Sequence, residues 1–472
     1  MNGKKKRTEK MRRRKNRIGY VLFGAFLGIL MCAVVGGVGV WLLKEQKMPA
    51  EDREEELLEA SAGQKLAEGV QPEAAEPDGL ETPEQEEPEK TGSEDTRQTD
   101  ADEEETAVQQ PEEPEKTEEE LLEERIQEVM NDMTIEEKVL QLFMITPEAL
   151  TGGETVTAAG DRTREAIAQY PVGGIVYFTK NLKEPEQVRT MLQNTRQYYE
   201  EAGYPVPFFG VDEEGGQVAR IGRQPAFGME QIEDMRSIGD RGEIQEAKRV
   251  GQVIGACLSD LGFTLDFAPV ADVVTNPENQ VIGRRSFGTD PELVADFAMA
   301  EVRGLEDYGV WAVLKHYPGH GATLGDSHQG YAYTDKSLEE LTEAELVPFQ
   351  RGIQEGIHFI MAAHIAVPSV TGDETPCTLS SYMISEVLRS RMGYDGIVVT
   401  DAMNMGAISQ QYDSAEAAVL ALQAGVDLIL MPVDFHNACE GVLAALETGE
   451  LTGERIDESV RRILRVKESV SR

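Results

Sequence analysis

The reactive side chains crowd into one stretch, Lys315 to His328, which reads Lys-His-Tyr-Pro-Gly-His-Gly-Ala-Thr-Leu-Gly-Asp-Ser-His. Four of the six histidines lie between His316 and His358, next to lysine and aspartate; surface decoration would scatter them. Asp326 and His328 are two positions apart, close enough for the carboxylate to hold the imidazole tautomer and raise its basicity. Such a pair suits proton transfer near neutral pH. A metal site fits less well, because Pro318 and Gly319 separate His316 from His320 and deny them the shared helix face of a common ligand spacing. An apolar run of buried-strand length, Val310 to Leu314, precedes the stretch and sets Lys315 and His316 at a strand exit. Pro318, Gly319 and Gly321 continue neither helix nor sheet, so the next dozen residues are expected to form a mobile loop.

Other elements must hold that loop. Apolar runs recur at Leu142 to Ile145, Gly174 to Phe178, Phe208 to Val211, Leu265 to Ala268, Val310 to Leu314, Phe359 to Ala362, Ile397 to Thr400 and Leu428 to Met431. Amphipathic stretches of helical length separate most of them: Glu184 to Ala202, Glu243 to Ser259, Asp290 to Tyr308, Leu338 to Glu355, Ser381 to Met392 and Ser414 to Ala424. This alternation predicts an α/β fold, a (β/α)8 TIM-like barrel with covering helices. Barrels of this kind gather reactive groups where strands end. Asp212 closes the third run, Lys315 and His316 the fifth and Asp401 the seventh, while His364 follows the sixth. A turn explains Asp401 poorly, since Ala402 and Met403 are not turn residues. His364 and Asn404 are further pocket candidates without an assigned role.

The run Lys-His-Tyr-Pro-Gly-His-Gly, followed by Asp-Ser-His, resembles the signature loop of family 3 glycoside hydrolases, in the branch that removes β-linked N-acetylglucosamine. The resemblance extends from about Glu136 to Gly406 and on toward the C-terminus. It implies that Asp401, in Thr-Asp-Ala-Met, is the nucleophile of a retaining reaction, with no cofactor and no metal. Retaining glycosidases usually pair the nucleophile with a second carboxylic acid. In this branch the proton donor is a histidine instead, a role that transfers to His328, with Asp326 orienting and polarising it. Gly319, Gly321 and Gly325 would let the loop close over bound sugar. Sugar-binding roles transfer to Asp212 and Arg220 in Asp-x-Glu-Gly-Gly-x-x-x-Arg, to Arg285 in Gly-Arg-Arg-Ser-Phe, and to Lys315 and His316. Arg285 rather than Arg284 carries the match, because it directly precedes Ser-Phe. Many family members add a second domain with a glutamate acid/base. The stretch after the eighth run is too short for one, which agrees with the histidine mechanism.

The expected activity is exo-β-N-acetylglucosaminidase action on wall fragments or chitin oligosaccharides. Two alternatives share the features. A histidine acid/base does not repel phosphate as a carboxylate would, so the same site suits a phosphorylase. A wall-binding anchor without turnover would also use the long N-terminal region.

That region sets the expected location. Residues 1–17 carry ten Lys or Arg against one Glu, and residues 18–43 are 26 uncharged, largely apolar positions. This reads as a basic cytoplasmic tail and a transmembrane signal-anchor helix, leaving the rest outside the cell membrane. From Glu45 to Glu120 there are 29 Asp or Glu against 6 Lys or Arg, with Glu-Glu-Pro-Glu-Lys occurring twice. Residues 44–119 are therefore expected to be a disordered, self-repelling linker ahead of a catalytic unit at 120–472. The whole chain has a formal net charge of −41, and the part from Glu120 to Arg472 is itself acidic, which argues against nucleic acid as a partner. Cys257, Cys377 and Cys439 follow no zinc or disulfide spacing and should be unpaired, mostly buried thiols.

Overall fold

The computed structural model describes residues 116–327 and 330–469. The basic tail, the apolar run at 18–43, linker residues 44–115 and His328 thus lie outside the described residues. Among the described residues, no helix is long and apolar enough to cross a membrane.

Eight short strands line up with the eight apolar runs: β1 Phe143–Ile145, β2 Gly174–Val176, β3 Phe208–Val211, β4 Leu265–Asp266, β5 Trp311–Tyr317, β6 Phe359–Ala362, β7 Ile397–Thr400 and β8 Ile429–Leu430. They form one parallel sheet in the order β7-β6-β5-β4-β3-β2-β1-β8. A parallel bridge from Val399 to Leu428 joins the two ends, and the Thr400 N–H donates to the Leu428 carbonyl at 3.0 Å. The result is a nearly closed eight-stranded barrel. Its strands are covered on both faces, which is why they read as unbroken apolar runs rather than alternating ones. The interior is filled, not hollow: a Cβ on Gly210 would lie 2.3 Å from Met144 Cε and 3.1 Å from the Phe267 ring.

Helix α1 (Glu118–Asp132) begins with a Thr117–Glu120 capping box, and α2 (Ile135–Gln141) with one between Thr134 and Glu137. Two expectations need correction. β5 does not stop at Leu314 but continues through Lys315, His316 and Tyr317, with a register shift against β6 between Leu314 and Tyr317. The extension holds because both polar side chains find buried partners inside the barrel mouth. The helix expected from Leu338 to Glu355 is two, Leu338–Glu343 and Val347–Gln354. Pro348 lacks an N–H and fits only the first turn of the second helix.

At the N-terminal mouth, the Phe208 and Phe359 rings meet edge to face at 5.2 Å. Lys467, on α3 (Gly453–Ser469), lies over Phe208 and donates to Gln141 Oε1 at 2.8 Å. Beside them, the fully buried Asp427 pairs with Arg389, Arg455 and Arg462. Cys377 and Cys439 are buried, Cys257 is half-buried, and all three are free.

Candidate active site

The parallel strands bring their C-terminal ends to one rim, and the charged residues expected there meet in a single network. Lys315 Nζ donates to Asp212 Oδ1 at 2.9 Å and lies 2.5 Å from Glu214 Oε1. Arg285 grips the other side of Glu214 with two parallel bonds, Nε to Oε2 at 2.8 Å and a terminal nitrogen to Oε1 at 2.7 Å. Arg220 is looser, 3.9 Å from Asp212 and stacked on the Phe178 ring. Arg284 turns away to pair with Asp234 and is 62% exposed, so Arg285 is the arginine of this pair that enters the network.

Three carboxylates that the sequence reading passed over hold this network in shape. Burial alone would push the Glu214 carboxyl up, but Arg285 and Lys315 hold it far below the usual range. Glu213 points the other way and accepts the backbone N–H groups of Arg220, Ile221 and Gly222 at 2.7, 2.7 and 2.9 Å. It thereby pins the turn that carries Arg220. Burial raises its pKa to about 7, against the pull of those donors. Asp272 is fully buried and orients His316: Oδ2 is 2.7 Å from Nδ1, and Oδ1 accepts the N–H groups of His316 and His320 at 3.2 and 2.6 Å. An arginine can only donate, so the 3.3 Å contact between Arg285 and His316 Nε2 makes Nε2 the acceptor and puts the His316 proton on Nδ1. Behind the network, Asp266 and Glu301 are fully buried carboxyls pushed well above the usual range by desolvation. The run of three acidic residues, Asp212-Glu213-Glu214, was the available signal for two of these residues; nothing local marks Asp272.

The loop after β5 is anchored at its root rather than mobile throughout. His320 is 2% exposed and bonded through both ring nitrogens, to Thr323 at 2.8 Å and Ser327 at 3.1 Å. Burial, then the nearby His316, lowers its pKa to about 4, so it is neutral at physiological pH. Gly321 packs so tightly that an added Cβ would sit 2.0 Å from the Val273 carbonyl oxygen. Glu345, which a continuous helix would have carried elsewhere, is fully buried under Gly319. Asp326 is half-buried further along, and its carbonyl accepts from the Gly330 N–H at 3.1 Å.

Asp401 directly follows β7 and is half-buried at the same rim. Its N–H donates to the Ala362 carbonyl on β6, and its Oδ1 accepts from the Ala402 N–H at 2.8 Å. Buried His364 bonds to the Ala402 carbonyl at 3.0 Å and to Thr378 at 2.8 Å, bracing the chain beside Asp401. Asn404 is exposed. Among the described residues, no group of three or more His, Cys, Asp or Glu is arranged to hold a metal ion.

Residues 134–466 match the model of the glycosyl hydrolase family 3 N terminal domain. The chain belongs to glycosyl hydrolase family 3. Within the family, it is 33% identical over 328 residues to beta-hexosaminidase A of Pseudoalteromonas piscicida, a match that covers 64% of this chain and 54% of that protein. It is 37% identical over 279 residues to the beta-hexosaminidase LpqI of Mycobacterium tuberculosis, covering 56% of this chain and 69% of the other. A solved family 3 beta-N-acetylglucosaminidase from a Paenibacillus strain superposes with a TM-score of 0.66 at 38% identity, over 72% of this chain and 63% of that one. The chain thus spans about half of the Pseudoalteromonas relative and under two thirds of the Paenibacillus enzyme.

Proposed function

We propose that this family 3 chain is a retaining exo-β-N-acetylglucosaminidase acting on wall fragments or chitin oligosaccharides. An Asp401 carboxylate oxygen attacks the anomeric carbon as the bond to the leaving sugar breaks. His328, oriented by Asp326, gives its proton to the departing oxygen. In the second step His328 takes a proton from water, the water oxygen attacks the same carbon, and Asp401 is released. The observation that carries this reading is one hydrogen bond: the Ala407 N–H donates to the Ser327 carbonyl at 3.1 Å, fastening the loop of Asp326 and His328 to the chain six residues beyond Asp401. Two further facts support it. The similar proteins are named beta-hexosaminidases, and the Asp212, Arg220, Arg285, Lys315 and His316 set offers the charged donors and acceptors that fix a hydroxyl-rich ring.

The test is hydrolysis of a chromogenic β-N-acetylglucosaminide by the full chain, with and without inorganic phosphate. Free N-acetylglucosamine should form at the same rate in both. A sugar 1-phosphate product would make the enzyme a phosphorylase, and cleavage of glucosides alone would contradict the branch. The same proposal places the protein in the cell membrane through residues 18–43, with the catalytic unit outside, since the flanking positive charge lies on the N-terminal side. Protease added to intact cells should remove the activity; protection from it would contradict that orientation.

A further inference from the structure

Leu324 and Tyr331 are 46% and 38% exposed, and they come from the same small ladder beside the rim. Leu324 pairs with Tyr333 through two backbone bonds, of 2.9 and 3.1 Å, and Ala332 and Tyr333 pair in turn with Ile365 and Ala366 just past β6. The ladder is therefore fixed to the barrel. Tyr331 stacks on Tyr333, with centroids 5.2 Å apart and planes inclined by 20°. One ring is spent holding the other, and Tyr331 keeps over a third of its surface in solvent. The Gly330 N–H bonds to the Asp326 carbonyl at 3.1 Å, so this aromatic pair continues directly from the residue assigned to the leaving-group side.

We propose that Tyr331, backed by Tyr333, is a platform for the leaving sugar of a β-linked oligosaccharide, the ring on the far side of the bond being cut. The inference rests on the hydrolase reading above. A pyranose ring has an apolar face of C–H groups between rims of hydroxyls, and a flat aromatic ring covers that face without demanding particular hydroxyl partners. A tyrosine already ordered by its neighbour loses little conformational freedom on binding. The site thus binds the terminal sugar through paired charges and the next sugar through stacking.

The experiment compares kcat/KM for the β-1,4-linked N-acetylglucosamine disaccharide with that for N-acetylglucosaminyl fluoride, whose leaving group has no ring to stack. The ratio of disaccharide to fluoride should fall about tenfold in Tyr331→Ala, chiefly through KM for the disaccharide, and stay within about twofold of the parent in Tyr331→Phe, which keeps the ring. An unchanged ratio in Tyr331→Ala overturns the proposal, as does an equal loss in Tyr331→Phe, which would point to the hydroxyl. A parent that cleaves neither substrate overturns the hydrolase reading itself and this inference with it.

Discussion

At the scale of single residues, Glu213, Glu214 and Asp272 bond to the chain and to the side chains that are proposed to meet the sugar, and so set their positions. Glu214 bridges Arg285 and Lys315, and its removal leaves two buried cations without a shared anchor. Glu214→Gln is predicted to lower kcat/KM about a hundredfold, on the scale seen when one partner of a buried charge pair is truncated, with most of the loss in KM. Steady-state kinetics check this, and a parent-like KM would contradict the positioning role. Glu213 gives a pH signature. Its folded pKa of about 7 stands above the ordinary ~4.3, so across that window the folded state holds a proton that the unfolded chain has lost. Its contribution to stability is complete below the lower value and is lost as pH rises through the upper one. Glu213→Gln cannot ionise and should remove a pH-dependent loss on the order of 3 kcal/mol between pH 5 and 8, read by denaturant unfolding. Equal slopes for parent and variant would count against it. These residues were hard to read in the sequence because their partners are far along the chain: Glu214 and Arg285 are 71 positions apart, and Asp272 and His316 are 44. Asp212, Lys315 and Asp401 were legible because each ends or extends an apolar run.

At the scale of elements, the decisive feature is the rooted loop after β5. Its first half is packed against the Val273 segment and Glu345, while its far side is tied to Ala407. Gly321→Ala drives a methyl into the Val273 carbonyl, a backbone atom with no flexible end to move aside. Overpacking of this kind costs about 1–3 kcal/mol, and because the strain falls on the loop, activity should drop more than tenfold. A thermal melt beside an activity assay separates the two effects; a fully active Gly321→Ala would show that the root does not set the geometry. The strand runs and most helices could be read from apolar periodicity, since a closed parallel sheet leaves no polar face to confuse it. The anchoring of the loop could not. Pro318 and the glycines announce a departure from regular structure, but close packing against Val273 and Glu345 is tertiary. The split at Ala344 leaves Pro348 in the first turn of the second helix, the place where a residue without an N–H is tolerated, while the amphipathic pattern runs on unbroken through both helices.

At the scale of the whole molecule, the two mouths of the barrel carry different burdens. The C-terminal rim gathers the candidate chemistry, and the N-terminal mouth is closed by structure. There Asp427 is fully buried among three arginines, which together with Ser459 hold its carboxyl below the usual range although burial alone would raise it. Asp427→Ala strands those cations and should destabilise the fold by about 3–5 kcal/mol. Because the folded pKa is depressed, the stabilisation is present above the unfolded value of ~3.9 and is lost as pH falls below it. Unfolding at pH 7 checks the magnitude; a change under 1 kcal/mol would show that the cluster contributes little. Lys467 differs in that its charged form is disfavoured by the fold, since burial pulls its ammonium down to about 7. Between that value and the ordinary ~10.4 the unfolded chain binds the extra proton, so stability rises with pH. Lys467→Met should be more stable relative to the parent at pH 6 than at pH 10, and a difference independent of pH would contradict this.

The proposed mechanism requires a covalent bond between Asp401 and the sugar. Incubation with a 5-fluoro-N-acetylglucosaminyl fluoride, which forms such an intermediate faster than it hydrolyses, followed by intact-mass and peptide mass spectrometry, reads it directly. One fluorosugar should be added per chain, on the peptide containing Asp401, and none in Asp401→Ala. A label on any other side chain, or an active parent that accumulates none, would contradict it.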